Sequence, residues 1–264
     1  MGIYGHPFYY KQGLPKVRAM KNKFQNYIFT VLLLLVTTAI GQTRDNYSDE
    51  LLTSSFKLFQ SADFELANHM LPFLRERFIK ELKDTSSFTN PYDSLSKYIG
   101  IKYSSDSLLK TYCWSERSGS CCHTSATFAQ FKTKSGEIKY IDLEEAEDHG
   151  VEIFITDVQT IEIDENPYYL ILGRGSCCGG KHYEVARVYE ISNDTLIKSD
   201  SVFNHETEVY VGANRSREID LNYSPESRIL SYKSYVFDDA SGFYRDEQSE
   251  VKWKLTKKGF KKMN

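Results

Sequence analysis

The 264-residue chain sets 36 acidic residues against 33 Lys and Arg, a formal charge of −3, at a mean hydropathy of −0.47. That balance gives no electrostatic drive toward nucleic acid or an anionic membrane, because both need a surplus of positive charge. No nucleic-acid partner is expected.

At the amino end, Lys21 and Lys23 precede an uncharged run from Asn26 to Val36, and Ala39 and Gly41 lie three residues and one residue before a cut ahead of Gln42. Charge, a short apolar helix and then small side chains is the order a signal peptidase requires. The apolar run falls short of the roughly 20 residues of a spanning helix, so no stable membrane span is expected after its removal. No Cys follows the cut, which argues against a lipoprotein anchor. Residues 20–41 therefore read as a signal peptide and 1–19 as an upstream extension that is not native, with Met20 competing with Met1 as the start. The mature chain is expected to be periplasmic or secreted. Losing residues 1–41 removes five basic residues and no acidic one, which moves the formal charge from −3 to −8.

Residues 42–106 form a helical region. Leu52, Phe56 and Phe59, then Leu66, Met70, Leu74, Phe78 and Leu82, recur at helical spacing and predict helices over 49–60 and 63–83. Pro72 should kink the second helix or divide it. Asn90-Pro91-Tyr92-Asp93 carries capping signals for a third helix that buries Leu95, Tyr98 and Ile99 and stops at Gly100.

From residue 107 to 264 the apolar period shortens to two, which predicts strands over 108–114, 123–133, 138–143, 151–163, 168–173, 182–191, 195–203, 207–212, 217–222, 228–237 and 248–255. Ser135-Gly136 and Asn193-Asp194 read as hairpin turns. Helices precede strands and do not alternate with them, so the fold class is α+β: amino-terminal helices, then a mainly antiparallel β domain built as a sandwich, a curved sheet or a propeller-like array. Lys257, Lys258, Lys261 and Lys262 read as a solvated, frayed tail.

The five cysteines are Cys113, Cys121, Cys122, Cys177 and Cys178. In an exported chain they read as disulfide candidates. A link between the 121/122 and 177/178 pairs would close a loop of about 55 residues, for roughly 3–4 kcal/mol. A metal site is the sharper alternative, made from Cys121, Cys122, His123, Cys177, Cys178 and His182; adjacent cysteines on a strand point to opposite faces and converge poorly on one ion. Gly175, Gly180 and Lys181 match part of a phosphate loop, but His182 stands where Ser or Thr is needed and a strand follows. No cofactor is implied. The acidic run Glu144, Glu145, Glu147, Asp148 and His149 lacks the alternation of a calcium loop. Tyr112, Trp114, Tyr183, Tyr232 and Tyr235 are candidate binding residues, an aromatic face for a peptide or a carbohydrate.

The Lys/Asn-bearing signal that ends before Gln42, the Phe/Leu helical region and Leu108-Leu109-Lys110-Thr111-Tyr112-Cys113-Trp114-Ser115 ahead of a Gly/Ser turn together resemble uncharacterised exported proteins of Bacteroidetes. The resemblance implies location and general architecture and carries no catalytic residues. The chain reads as an exported binding or envelope-associated protein of unknown ligand. The alternative is an exported hydrolase whose active residues come from separated strands.

Overall fold

The computed structural model describes residues 47–116, 124–144, 152–177, 179–204 and 206–263, with the side chain of Cys177 not described. Helix α1 covers 47–61, and α2 covers Phe64–Leu82. The Asp63 carboxylate caps α2 by accepting from the Leu66 amide at 2.8 Å. Glu65 in the first turn and Lys80 in the last complement the helix dipole. Pro72 neither divides nor ends α2. Its missing amide costs one intrahelical bond, but the buried stripe Ala67, Leu74, Phe78 and Leu82 holds both halves to the same surface.

The expected third helix is not formed. Asn90 accepts from the Tyr92 amide at 3.2 Å, which turns Tyr92 into the left-handed region at φ 53°. Only a 3-10 turn, Leu95–Lys97, follows. The amides of Ser94 and Leu95 donate to the Asp49 carboxylate of α1, at 3.1 and 2.9 Å, so they need no helix of their own. Leu95 and Ile99 are nevertheless buried as their spacing suggests, and Gly100 opens a strand.

Three antiparallel sheets follow. The first is the meander β1 (Gly100–Tyr103), β2 (Leu109–Ser115), β3 (Ser125–Lys132) and β4 (Ile138–Asp142). The second contains β5 (Phe154–Ile163), β6 (Asn166–Cys177) and β7 (Lys181–Ser192), with β8 (Thr195–Lys198) and β9 (Glu208–Asn214) in tandem along the far edge of β7. The third is β10 (Asn222–Ser224), β11 (Ile229–Asp238), β12 (Phe243–Thr256) and β13 (Gly259–Lys262). Two-residue turns with positive φ at both positions join β5 to β6 (Asp164-Glu165, 50° and 64°) and β7 to β8 (Asn193-Asp194, 46° and 62°). Those angles define type I′ hairpins.

Alternation along each strand sorts the side chains into layers. On β2, Tyr112 and Trp114 face the helices, whereas Leu109 and Cys113 face the second sheet. On β6, Tyr169 and Ile171 meet the first sheet and Leu170 and Leu172 meet the third. The order of layers is helices, first sheet, second sheet, third sheet, and the α+β antiparallel class read from sequence holds as a sandwich-like stack. The unit spans Ser48–Asn264. No helix among the described residues is long and apolar enough to cross a membrane.

The lysine-rich end is a strand and not a frayed tail. β13 pairs with β12, and Phe260 is buried with its amide donating to the Val202 carbonyl at 2.7 Å. Gly259 sits at φ 106°, and a Cβ there would stand 2.6 Å from that carbonyl oxygen. Gly259→Ala is expected to cost about 2 kcal/mol, read as a lower urea midpoint. An unchanged midpoint would mean that β13 adds nothing to the fold.

Candidate functional site

The first and second sheets pack across a seam, and residues of both line a cleft of about 520 Å³. Ser115 and Ser125, paired across β2 and β3, form one wall. The other comprises Phe154 at the start of β5, Arg174, Gly175 and Ser176 at the end of β6, His182 on β7, and Arg215 just after β9. Register explains the convergence: Phe154 opposes Arg174, and Ser176 opposes His182. Arg215 is brought in by its amide, which donates to the Gly180 carbonyl at 2.7 Å. Gly175 is glycine for steric reasons, since a Cβ there would run into the Tyr183 ring. That ring lies across the strand with its hydroxyl donating to the Glu152 carbonyl at 2.5 Å.

The lining is rich in donors. Arg174 faces Glu184 across the β6–β7 pair without a direct ion pair, and its charge, with that of His182, acts on Glu184 to lower its pKa. The Nε2 of His182 is buried without a hydrogen-bond partner among the described residues. Two carboxylates stand nearby, and both are held by backbone amides: Glu152 accepts from Ser125 at 3.3 Å and Glu184 from Leu221 at 2.7 Å. Burial pushes both pKa values up, against the lowering effect of those amide bonds.

Behind Ser125 lies a carboxylate cluster. Arg75 of α2 reaches Glu116 at 2.7 Å and Asp142 at 2.6 Å, with Glu144 at 3.8 Å, and so ties the helical layer to the first sheet. Burial raises Glu144 to about 8, reinforced by Asp142, Glu116 and Glu152. The Thr127 hydroxyl, which can donate to Glu144 Oε1 or to the Ile153 carbonyl, each at 3.1 Å, works against that rise. Between about 4.5 and 8 the folded chain holds a proton that the unfolded chain has released, so this group's stabilisation is complete in acid and falls as pH rises through that window. Glu144→Gln is expected to flatten that fall and to stabilise the protein at pH 8.5 by on the order of 1 kcal/mol after solvent screening. Parallel urea titrations of the two proteins would contradict this by superimposing.

The cysteine expectation needs correction. Among the described residues there is no disulfide, and Cys113 is a free, buried thiol. Alternation on β2 sends its sulfur into the seam, 3.6 Å from the Ile155 carbonyl, where burial pushes the thiol up to about 12. Ile155 opposes Gly173, and Cys177 lies four residues further along β6. At about 3.3 Å per residue that is far beyond disulfide reach. Apolar layer packing, and no crosslink, holds the described fold together. Cys121, Cys122, His123 and Cys178 lie outside the described residues, as do Glu145, Glu147, Asp148 and His149 of the acidic run. Among the described residues no group of three His, Cys, Asp or Glu is placed to hold a metal ion.

The proposed aromatic face is also corrected. Tyr112 and Trp114 are buried beneath the helices, Tyr112 donating to Gln130 at 2.5 Å and Trp114 stacking on Phe128. Tyr183 lines the seam, while Tyr232 and Tyr235 belong to the third sheet. The five residues are distributed over separate layers because sheet stacking buries both faces of the inner strands. Of the chemical candidates singled out from sequence, the cleft contains Gly175 of the partial phosphate-loop match and His182. Arg174 was legible only as a charge following the apolar run Leu170–Gly173, and Ser115, Ser125 and Arg215 carried no local signal. Compared with protein-family models, curated proteins and solved structures, the chain matches none.

Proposed function

We propose that the chain is an exported, periplasmic or secreted binding protein whose ligand, a peptide or a carbohydrate, enters this cleft. One observation carries this reading: Ser115 and Ser125 of the first sheet and Arg174, Ser176 and His182 of the second line one cavity of about 520 Å³ with Arg215. That volume lies in the range of small-molecule sites. The signal-like segment and the resemblance to exported Bacteroidetes proteins support the location. Panels of fluorescent oligosaccharides and short peptides, read by anisotropy, test the reading with Ser176→Trp as the variant that fills the cleft. Wild type should retain at least one probe that a folded Ser176→Trp loses. No retained probe, or equal retention by both proteins, would refute it.

The hydrolase alternative is favoured by Glu144, a carboxyl held protonated beside other carboxylates, which is how an acid and a base are kept apart in one site. Chromogenic glycosides test it: turnover by wild type that disappears in Glu144→Gln would establish the hydrolase, and no turnover would remove it.

A further inference from the structure

The cleft's electrostatics specify the ligand further, an inference that rests on the binding reading above. Among the described residues no carboxylate is part of its lining, while Arg174 on β6, His182 on β7 and Arg215 just after β9 are nitrogen-bearing and Ser115, Ser125 and Ser176 are hydroxyl-bearing. This local sign is opposite to that of the chain, whose formal charge is −3. The donors therefore reflect placement by the β6, β7 and β9 register and not a basic composition. A guanidinium presents a planar fork that matches the paired oxygens of a carboxylate or a sulfate. Among the described residues no hydrogen bond or ion pair engages the Arg174 fork, although its charge acts on Glu184 across the β6–β7 pair. The number of ligand charges is limited by what stands behind the lining. Glu152 accepts from the amide of the lining residue Ser125 and Glu184 stands opposite Arg174 in register, so a carboxylate beside each wall opposes a second charge on the ligand.

We infer that the cleft recognises a singly charged oxyanion group, a carboxylate or a sulfate ester, borne by its peptide or carbohydrate ligand. The guanidinium of Arg174 makes the charged contact, and the serine hydroxyls and His182 serve the remaining oxygens and neighbouring hydroxyls.

Acetate, methyl sulfate and inorganic phosphate are the probes, titrated at pH 8 against sodium chloride at matched ionic strength. Binding is read as amide chemical-shift changes and as melting temperature, in wild type, Arg174→Gln and Ser176→Trp. Saturable binding of acetate assigns a carboxylate, and saturable binding of methyl sulfate assigns a sulfate ester. In either case Arg174→Gln should weaken binding at least tenfold (about 1.4 kcal/mol). Phosphate, largely a dianion at this pH, should bind more weakly than the better monoanion. The inference is overturned if no probe exceeds chloride, if phosphate binds most tightly, or if Arg174→Gln binds as wild type does. A neutral oligosaccharide lost in Ser176→Trp but retained in Arg174→Gln would sink the oxyanion and leave the binding protein standing. Loss of every probe and every panel member would remove both.

Discussion

Phe78→Ala is expected to remove about 3–5 kcal/mol of stability, more than any other single truncation in the helical layer. Phe78 is fully buried, and its ring meets those of Phe56, Tyr112, Trp114 and Phe128 at centroid distances of 5.1–6.0 Å. The ring is thus the shared partner of α1, β2 and β3. Truncation loses its transfer free energy and leaves a cavity walled by aromatic rings too rigid to collapse into it. Urea unfolding followed by far-UV circular dichroism measures the loss. A cost below about 1 kcal/mol would mean that the helices are not docked as described.

The second large effect is expected at Lys110, which is fully buried on β2. Its ammonium donates to the carbonyls of Asn90 at 2.5 Å, Ser87 at 3.0 Å and Phe88 at 3.5 Å. The faces of Tyr92, Tyr103 and Tyr112 surround it at 4.5, 5.0 and 5.0 Å. This one side chain holds the segment between α2 and β1 against the first sheet. Lys110→Met keeps the volume but leaves those acceptors without their donor, at a cost of about 3 kcal/mol.

Burial pushes the Lys110 ammonium down to about 7, with Glu81 opposing the shift. From about 7 up to 10.5 the unfolded chain retains a proton that the folded chain has released, so the stabilisation from this group grows with pH. The gap between wild type and Lys110→Met should therefore widen by on the order of 2 kcal/mol between pH 7 and 9.5. Glu144 contributes the opposite slope to both proteins and cancels from the difference. A gap that does not change with pH would show that the carbonyls and ring faces keep the ammonium charged against the cost of burial.

How much of this was legible in the sequence depended on whether the determinant was local. The α1 and α2 stripes, the two-period strands and the Asn193-Asp194 turn are encoded within a few residues, and the helix-then-sheet order followed from them. The stretch from Asn90 to Ile99 misled because its amides are satisfied by Asp49, some 45 positions earlier, which no local capping signal reveals. The lysine-rich end misled because Phe260 finds its acceptor on Val202. The cleft was the least legible feature. Its donors come from β2, β3, β6, β7 and the residue after β9, and only the stacking of two sheets brings them together. His182 drew notice through its neighbours Cys177 and Cys178, and it lines a cleft with Arg174 and Arg215 instead. The aromatic residues were misassigned to a surface because period two says that a strand has two faces but not that both are covered.

The helical layer and the third sheet share no apolar cluster, because two whole sheets separate them. Damage to one end of the stack should therefore not propagate to the other. Free-energy losses from Phe78→Ala and Trp253→Ala should sum within a few tenths of a kcal/mol. In native-state hydrogen exchange the amides of α2 and of β13 should open in separate steps, while β6 and β7 exchange only when the entire molecule comes apart.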